Sequence, residues 1–280
     1  AYEARRLEPP AFVASALGRM VTALLGVCHG DKGLGSWQGS APVPGALIEQ
    51  AVEATGVRTR PLKQAREWGY QRLNAGGTVL IVDAAPPPLA RLAAGGCAST
   101  LAFELSDGPH RIVVNCGGSN MANAAMPAAL GEGLRTTAAH STLVLADSNS
   151  TAIHPDGSLG RGVVEVELAR TESENGSRIE ASHDGYVRRL GFVHRRLIAL
   201  GGDGRDVRGE DMLLPAHKRK RKANTPFAIR FHRPPPTARR RSCACRAGIS
   251  GSSAARAGRS PSRIRCGSTA RAGRCRPGSW

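Results

Sequence analysis

The sequence contains few aromatic residues, no long hydrophobic run and no acidic residue after Asp211. Aromatic residues make up 4% of the 280 residues, although the hydrophobic share of 41% is typical of a globular protein that buries a core. Because no run approaches the roughly 20 apolar residues of a membrane-spanning helix, we expect no membrane span. The chain also opens without a charged and then apolar leader, so no targeting segment indicates its compartment.

The cysteines lack the regular spacing of a disulfide framework. The C-A-C motif at 243–245 has no second pair of metal ligands at a suitable distance in the sequence. We therefore expect scattered or buried thiols at the seven positions, which are Cys28, Cys97, Cys116, Cys243, Cys245, Cys266 and Cys275.

The basic excess of the chain is confined to its C-terminal segment. The formal net charge is +17, but 18 of the 39 Lys and Arg residues lie within 212–280. The first 211 residues keep the other 21 basic residues and all 22 acidic ones, a net charge of −1. A nucleic-acid-binding function would therefore rest on the tail alone, and we expect no nucleic-acid partner for the folded body.

Residues 1–68 are predicted to be mainly helical and residues 69–232 to form strands. Residues 9–27 begin with proline and repeat apolar residues at helical spacing, and Pro44–Thr55 has a second amphipathic pattern. From Gly69 onward, short apolar runs alternate with turn signals such as Ser-Asp-Gly at 106–108 and Gly-Gly-Asp-Gly at 201–204. Helices followed by a long series of strands predict a mainly β protein, an antiparallel sandwich or barrel.

Residues 233–280 form a tail of different composition. Arg, Ser, Ala, Gly, Pro and Cys make up almost all of it, and its one aromatic residue is Trp280. Such a segment cannot bury enough apolar surface to offset its chain entropy, so we expect it to be disordered. Its composition is that of GC-rich codons translated out of frame, and we interpret it as a frameshifted segment. A native basic tail is the alternative.

Five stretches of the sequence, in this order, resemble the C-terminal domain of heparinase II/III-like proteins. They are GYQRLNAGGTVLIVDAAPPP (69–88), STLAFELSDGPHRIVVNCGG (99–118), TAAHSTLVLADSNS (137–150), ASHDGYVRRLGFVHRRLIALGGDGRDVRGEDML (181–213) and PFAIRFH (226–232). Upstream, HGDKGLGSWQG (29–39) is similar to a turn near the end of that family's helical domain. The resemblance covers roughly residues 10–232 and does not extend into the tail.

The resemblance implies the end of an α/α toroid packed against an antiparallel β-sandwich, with an acidic polysaccharide bound in the cleft between them. The implied reaction is β-elimination, in which a Tyr or His base removes the proton beside a neutralised uronate carboxylate. A zinc ion on the sandwich side of the cleft is the implied cofactor. The implied location is the bacterial cell envelope or periplasm.

The family's metal site maps onto three positions of this sequence. When Leu101–Phe103 is aligned with the corresponding strand, Gly95 falls at the catalytic histidine, Cys97 at a metal-binding histidine and Asn115 at an aspartate ligand. Only His140 keeps the family's residue type, and a strand-edge histidine bonded to backbone groups is the alternative interpretation of it. The resemblance therefore implies His140, Asn115 and Cys97 as zinc ligands, although one strong ligand of three makes a poor zinc site.

These departures leave three functional hypotheses. The first is an incomplete and inactive fragment of a polysaccharide lyase, because the toroid that carries the lyases' catalytic Tyr and Asn is mostly absent. The second is a non-catalytic β-sandwich that binds polysaccharide or supports an assembly. The third, a nucleic-acid binder, rests on the tail.

Three further polar motifs have ordinary structural interpretations. The turn His183–Tyr186 could face a sugar, but a hairpin turn set by Asp and Gly is the expected role. Alternation places His194 and Arg196 on one strand face, which could bind an anionic sugar but which we expect to be exposed and solvated. The KRKRK run at 218–222 is expected in an exposed loop, with a nucleic-acid patch as the alternative.

Overall fold

A computed structural model describes most of the chain. It covers residue 8 and residues 10–64, 69–88, 95–117, 127–216, 225–234, 248–249 and 262–268. The KRKRK run and most of the predicted tail lie outside the described residues. Among the residues described, no helix is long and apolar enough to cross a membrane.

Two helices precede the strands, as the sequence predicts. Helix α1 spans Ala11–Gly26 and α2 spans Gly45–Glu53. A proline stands directly before each helix, where a fixed backbone angle and a missing N–H do no harm. Later in the chain come two short helices, α3 (Ala128–Gly133) and α4 (Val187–Leu190), and a 3₁₀ turn at Thr137–Ala139.

The first sheet is a four-stranded antiparallel meander in the order β1-β2-β3-β4. Its strands are β1 (Tyr70–Ala75), β2 (Thr78–Asp83), β3 (Phe103–Asp107) and β4 (His110–Val113). The predicted Ser-Asp-Gly turn joins the last two strands. Every residue of β2 is buried, so this strand is covered on both faces.

The second sheet has six antiparallel strands in the order β11-β12-β9-β8-β7-β6. Its strands are β6 (Val166–Ser173), β7 (Gly176–His183), β8 (Phe192–Gly201), β9 (Val207–Pro215), β11 (Gly248–Ile249) and β12 (Ser262–Ser268). The predicted Gly-Gly-Asp-Gly turn joins β8 to β9, and Gly204 there has a φ of 75°. A separate pair is formed by β5 (Leu143–Leu145) and β10 (Phe227–Ile229).

The two larger sheets pack face to face around one apolar core, which makes the fold a β-sandwich. Residues two apart on a strand point to the same face, so alternate residues of β3, β7 and β8 enter this core. The prediction of a mainly β antiparallel sandwich after helices is therefore confirmed. The buried core residues are Leu73, Leu80, Val82, Ala84, Leu101, Phe103, Leu105, Ile179, Ala181, Ile198 and Leu200.

The predicted tail is described at two strands and at its first two residues. Strand β12 pairs with β9 from Ser262↔Leu213 to Ser268↔Val207, and β11 pairs with β12. These short stretches are therefore extended strand at the edge of the second sheet. The frameshift stays a prediction, as does disorder in the rest of the tail, which lies outside the described residues.

Candidate functional site

His140 lies at the entry to β5 and is fully buried. The 3₁₀ turn at Thr137–Ala139 leads into it, and its Nδ1 is 2.8 Å from the Thr136 carbonyl oxygen. A carbonyl can only accept, so Nδ1 carries the proton and Nε2 presents a lone pair. That Nε2 has no hydrogen-bond partner among the described residues. Burial lowers the pKa of His140 to about 4, so the imidazole is neutral at physiological pH.

Asn115 follows β4, and its side-chain amide is bonded on both sides. Its Nδ2 donates to Glu104 Oε1 at 3.2 Å and to the Ser36 carbonyl at 3.4 Å. Its Oδ1 accepts the Ser141 N–H at 3.0 Å. Asn115 therefore holds Ser141, the residue next to His140, against the first sheet.

Cys97 lies in the loop before β3 and is held as a thiol. Its Sγ is 3.6 Å from the Gly95 carbonyl, and its N–H donates to Gln38 Oε1 at 3.0 Å. Burial raises the pKa of the Cys97 thiol to about 12, and a thiol must lose its proton to bind a metal strongly. Gln38 also donates to Asp83 and Ser99, so the loop is fixed at several points.

These three side chains do not fit a zinc ion. A zinc site needs three or four convergent lone pairs from deprotonated or neutral ligands. Here His140 contributes one free nitrogen, the burial of the Cys97 thiol opposes loss of its proton, and the Asn115 amide is engaged by three protein groups. Within the described ranges, no group of three or more His, Cys, Asp or Glu residues is arranged to hold a metal ion.

Glu104 on β3 organises the polar network around Asn115. Its Oε1 accepts the backbone N–H of Ser36 and that of Asn115, both at 3.0 Å. Its Oε2 lies 3.2 Å from His29 Nε2 and 3.4 Å from Arg111 Nη1. Burial by itself raises the pKa of this carboxyl, but the His29 contact and the backbone donors outweigh burial and keep the pKa below its ordinary value.

The Gly-rich turn at 29–39 docks onto this carboxylate. Arg111 binds Asp31 through two parallel contacts of 2.8 Å, and a Cβ on Gly35 would lie 2.1 Å from Glu104 Oε2. Any larger residue at position 35 would have to displace this buried carboxylate. The motif therefore attaches the helical part of the chain to the sandwich through a buried, charge-paired contact. Sequence reasoning identified the turn but not Glu104, because no local pattern distinguishes a buried strand carboxylate from an exposed one.

A second buried polar network crosses β7, β8 and β9. It consists of His183, His194, Arg196 and Asp211, and all four side chains are buried. The prediction that His194 and Arg196 share a face is confirmed, but the expectation that this face is exposed is wrong, because it packs against the first sheet. Their shared parity with the buried Ile198 is the signal that could have shown this.

The turn at 183–186 is likewise internal. Tyr186 Oη donates to the Leu143 carbonyl at 2.9 Å, and its ring centroid lies 5.5 Å from that of His183. Both side chains are buried, so neither presents a face to a surface-bound sugar. The expected structural role of this turn is therefore supported over a sugar-binding one.

The described chain is thus a face-to-face antiparallel sandwich preceded by helices, with a corner where the His140 and Asn115 segments meet. The family model "Heparinase II/III-like, C-terminal" matches residues 57–277. The match therefore continues through most of the segment 233–280, and the expectation that the family resemblance stops before this tail is wrong. The chain belongs to the heparinase II/III-like family.

Known proteins resemble the chain in sequence and in fold. FtsZ-localized protein C of Caulobacter vibrioides (strain NA1000 / CB15N) is 30% identical over 244 residues, which are 80% of this chain and 40% of that protein. A heparan sulfate lyase from Pedobacter heparinus shares the fold at a TM-score of 0.55 and 14% identity, over 74% of this chain and 33% of the enzyme. A heparinase III shares the fold at a TM-score of 0.55 and 13% identity, over 87% of this chain and 42% of that enzyme. The chain thus spans less than half the length of each, and the two enzymes support the fold alone.

Proposed function

We propose that this chain is a non-catalytic domain of the heparinase II/III-like fold that binds acidic polysaccharide without cleaving it. The observation that carries the proposal is the Asn115 amide, which is bonded to Glu104, Ser36 and Ser141 where the resemblance expects a free metal-binding carboxylate. A network of this kind gives the corner structural stability in place of a Lewis acid.

The remaining positions of the implied active site also lack reactive groups. Gly95 has no side chain to act as the catalytic base. The Cys97 thiol keeps its proton at physiological pH, and His140 is fully buried, out of reach of a polymer in solvent. β-Elimination needs a base in contact with the sugar and a group that stabilises the developing carbanion, and none of these positions offers either.

Polysaccharide binding is supported by the solved proteins that share this fold. The solved structures that share it are titled as heparan sulfate lyase and heparinase III. A location in the bacterial cell envelope or periplasm is part of the proposal and rests on the family resemblance. We do not propose a nucleic-acid partner, because the feature that indicates one is the basic composition of segment 212–280 and no motif of the folded body supports it.

The test combines metal content, product formation and binding. We expect the purified 280-residue chain to hold no stoichiometric zinc by elemental mass spectrometry. Heparan sulfate incubated with it should show no rise in the ultraviolet absorbance of an unsaturated uronate, with a heparinase III as positive control. Product formed in proportion to the protein would establish a lyase instead. Zinc near one equivalent would contradict the argument that this corner holds no metal.

The binding measurement has to separate sugar recognition from simple charge. The basic segment 212–280 would attract any polyanion, so duplex DNA of matched charge serves as the competitor. We expect heparan sulfate oligosaccharides to remain bound in calorimetry when DNA is present in excess. Equal competition by DNA contradicts the polysaccharide part of the proposal while leaving the non-catalytic part standing.

A second candidate function is support of an assembly that contains FtsZ. Its specific observation is the 30% identity to FtsZ-localized protein C across 80% of this chain. Co-sedimentation with FtsZ polymers tests it directly. Recovery of the chain in the polymer pellet, undiminished by added heparan sulfate, would favour assembly over sugar binding.

A further inference from the structure

Four buried polar side chains form one continuous chain of contacts inside the sandwich. His183 ends β7, His194 and Arg196 lie on β8, and Asp211 lies on β9. The register places His183 opposite His194 and Arg196 opposite Asp211, all on the face that meets the first sheet. Their exposed fractions are 2%, 0%, 3% and 6%, in the order in which they follow the chain.

The hydrogen bonds give this network a single direction. The Gly185 N–H donates to His183 Nδ1 at 3.1 Å, so that nitrogen is an acceptor and Nε2 carries the proton. His183 Nε2 then donates to His194 Nδ1 at 3.1 Å, and His194 Nε2 donates to Asp211 Oδ1 at 2.7 Å. Every ring nitrogen is therefore used, and each imidazole holds one proton.

The other end of the network binds two loops. Arg196 holds Asp211 through Nε and Nη2 at 2.7 and 2.9 Å. Its Nη1 donates to the carbonyls of Leu101 and Ser141 at 2.8 and 2.9 Å. Leu101 precedes β3 in a left-handed conformation with a φ of 63°, and Ser141 directly follows His140. One guanidinium thus ties the second sheet to both segments that enclose the corner described above.

An additional proton would give the buried network a net positive charge. With both imidazoles neutral, Arg196 and Asp211 cancel, and the buried group is electrically neutral. Asp211 contacts His194 and Arg196, and His183 reaches this carboxylate only through His194. The neighbouring titratable groups do not change this balance. Tyr186 is neutral, and Glu167 on β6 accepts from Ser182 Oγ. From the first sheet Arg196 meets carbonyl oxygens and the Phe103 ring.

We propose that His183, His194, Asp211 and Arg196 act as a proton-sensitive clamp that holds the Leu101 and Ser141 segments at neutral pH and releases them in mild acid. A solvent proton taken up on His183 Nδ1 removes the acceptor for the Gly185 N–H. It also adds one uncompensated positive charge beside Arg196. Opening the turn at 184–187 to water gives the Gly185 N–H a new hydrogen-bond partner and lets solvent screen the added positive charge. The clamp is independent of the ligand proposed above.

The direction of the pH dependence follows from proton uptake in the unfolded chain. Burial lowers the pKa of both His183 and His194 below the ordinary value near 6.5. Below about pH 6.5 the two histidines bind protons in the unfolded chain but not in the folded chain. Their contribution to the free energy of unfolding is therefore fully present above about pH 6.5 and is lost as the pH falls. Each such histidine raises the unfolding equilibrium constant by up to about tenfold per pH unit.

The test compares two histidine replacements in the whole chain. His183→Gln removes the titrating group of the clamp, and His110→Gln does the same at an exposed position on β4. Denaturant unfolding is measured between about pH 7 and 5, where histidine titrates. We expect H183Q to flatten the pH dependence of the unfolding constant by up to about tenfold per unit relative to H110Q. Identical pH dependence in the two variants overturns the proposal.

Hydrogen exchange of the unmodified chain gives a second readout if H183Q does not fold. We expect amide protection, corrected for intrinsic exchange, to fall with acid first at 101–103, 141–145 and 184–187. Residues 78–82 in the core of the first sheet should keep their protection. A uniform loss across all four segments, or no loss at the first three, contradicts a local clamp.

Discussion

The exchange of Asn115 for Asp is the sharpest single perturbation of the corner around His140. The variant restores the residue type that the family resemblance implies, and its size hardly changes. The Asn115 Nδ2 lies 3.2 Å from the buried Glu104 Oε1, so the exchange places two carboxylate oxygens in contact. At an effective dielectric constant of about 20, two unit charges at that distance repel by about 5 kcal/mol.

Protonation of one of the two carboxylates limits the decrease in the free energy of unfolding. Keeping one proton on the pair from a pKa near 4 up to pH 7 costs about 4 kcal/mol, and the lost hydrogen bond adds about 1 kcal/mol. We therefore expect the free energy of unfolding to fall by about 3–5 kcal/mol at pH 7, a large part of the stability of an ordinary domain. The difference from the unmodified chain should shrink toward pH 5, because the pair then takes its proton from solvent more easily.

The assay is denaturant unfolding of the full chain followed by circular dichroism, with and without zinc. Asn74→Asp makes the same chemical change at an exposed position of β1 and serves as the control, expected within about 0.5 kcal/mol of the unmodified chain. An N115D variant as stable as N74D refutes the reasoning, because the Asn115–Glu104 contact would then not exist. Restoration of N115D by zinc would show instead that the corner still accepts a metal.

Three further predictions concern neighbouring parts of the structure. Gly35→Ala should destabilise the chain by about 1–3 kcal/mol, because the added methyl group would displace the Glu104 carboxylate; thermal unfolding measures it, and no change would mean that the turn does not pack there. Iodoacetamide at mildly alkaline pH should label the exposed Cys116 well before Cys97, whose burial and raised pKa protect it; equal rates by peptide mass spectrometry contradict this. The unmodified chain should lose up to about 3 kcal/mol that His140→Gln does not lose as the pH falls from about 6.5 to 4, because the folded imidazole resists protonation until about pH 4; parallel pH profiles in denaturant contradict it.

Local patterns in the sequence were sufficient for the element types and the fold class. Proline followed by apolar residues at helical spacing predicts the helices Ala11–Gly26 and Gly45–Glu53. Alternation and the turn residues at 106–108 predict the hairpin of β3 and β4. These signals are readable because helix and strand periodicity depend on neighbouring residues. The family motifs added the sandwich arrangement, which the packing of the two sheets confirms.

The assignment of the polar residues depended on contacts that no local pattern encodes. His194 and Arg196 have the same alternation whether their face is covered or open, and only the packing of the first sheet against β8 buries them. Asn115 could be a metal ligand by alignment. Its bonds to Glu104, Ser36 and Ser141 join residues 11, 79 and 26 positions away, so they exist only in the folded chain. The sequence by itself determined the strands between residues 69 and 232, because strand periodicity is local. The tertiary structure decided which polar side chains are buried, because burial depends on what packs across the sheet.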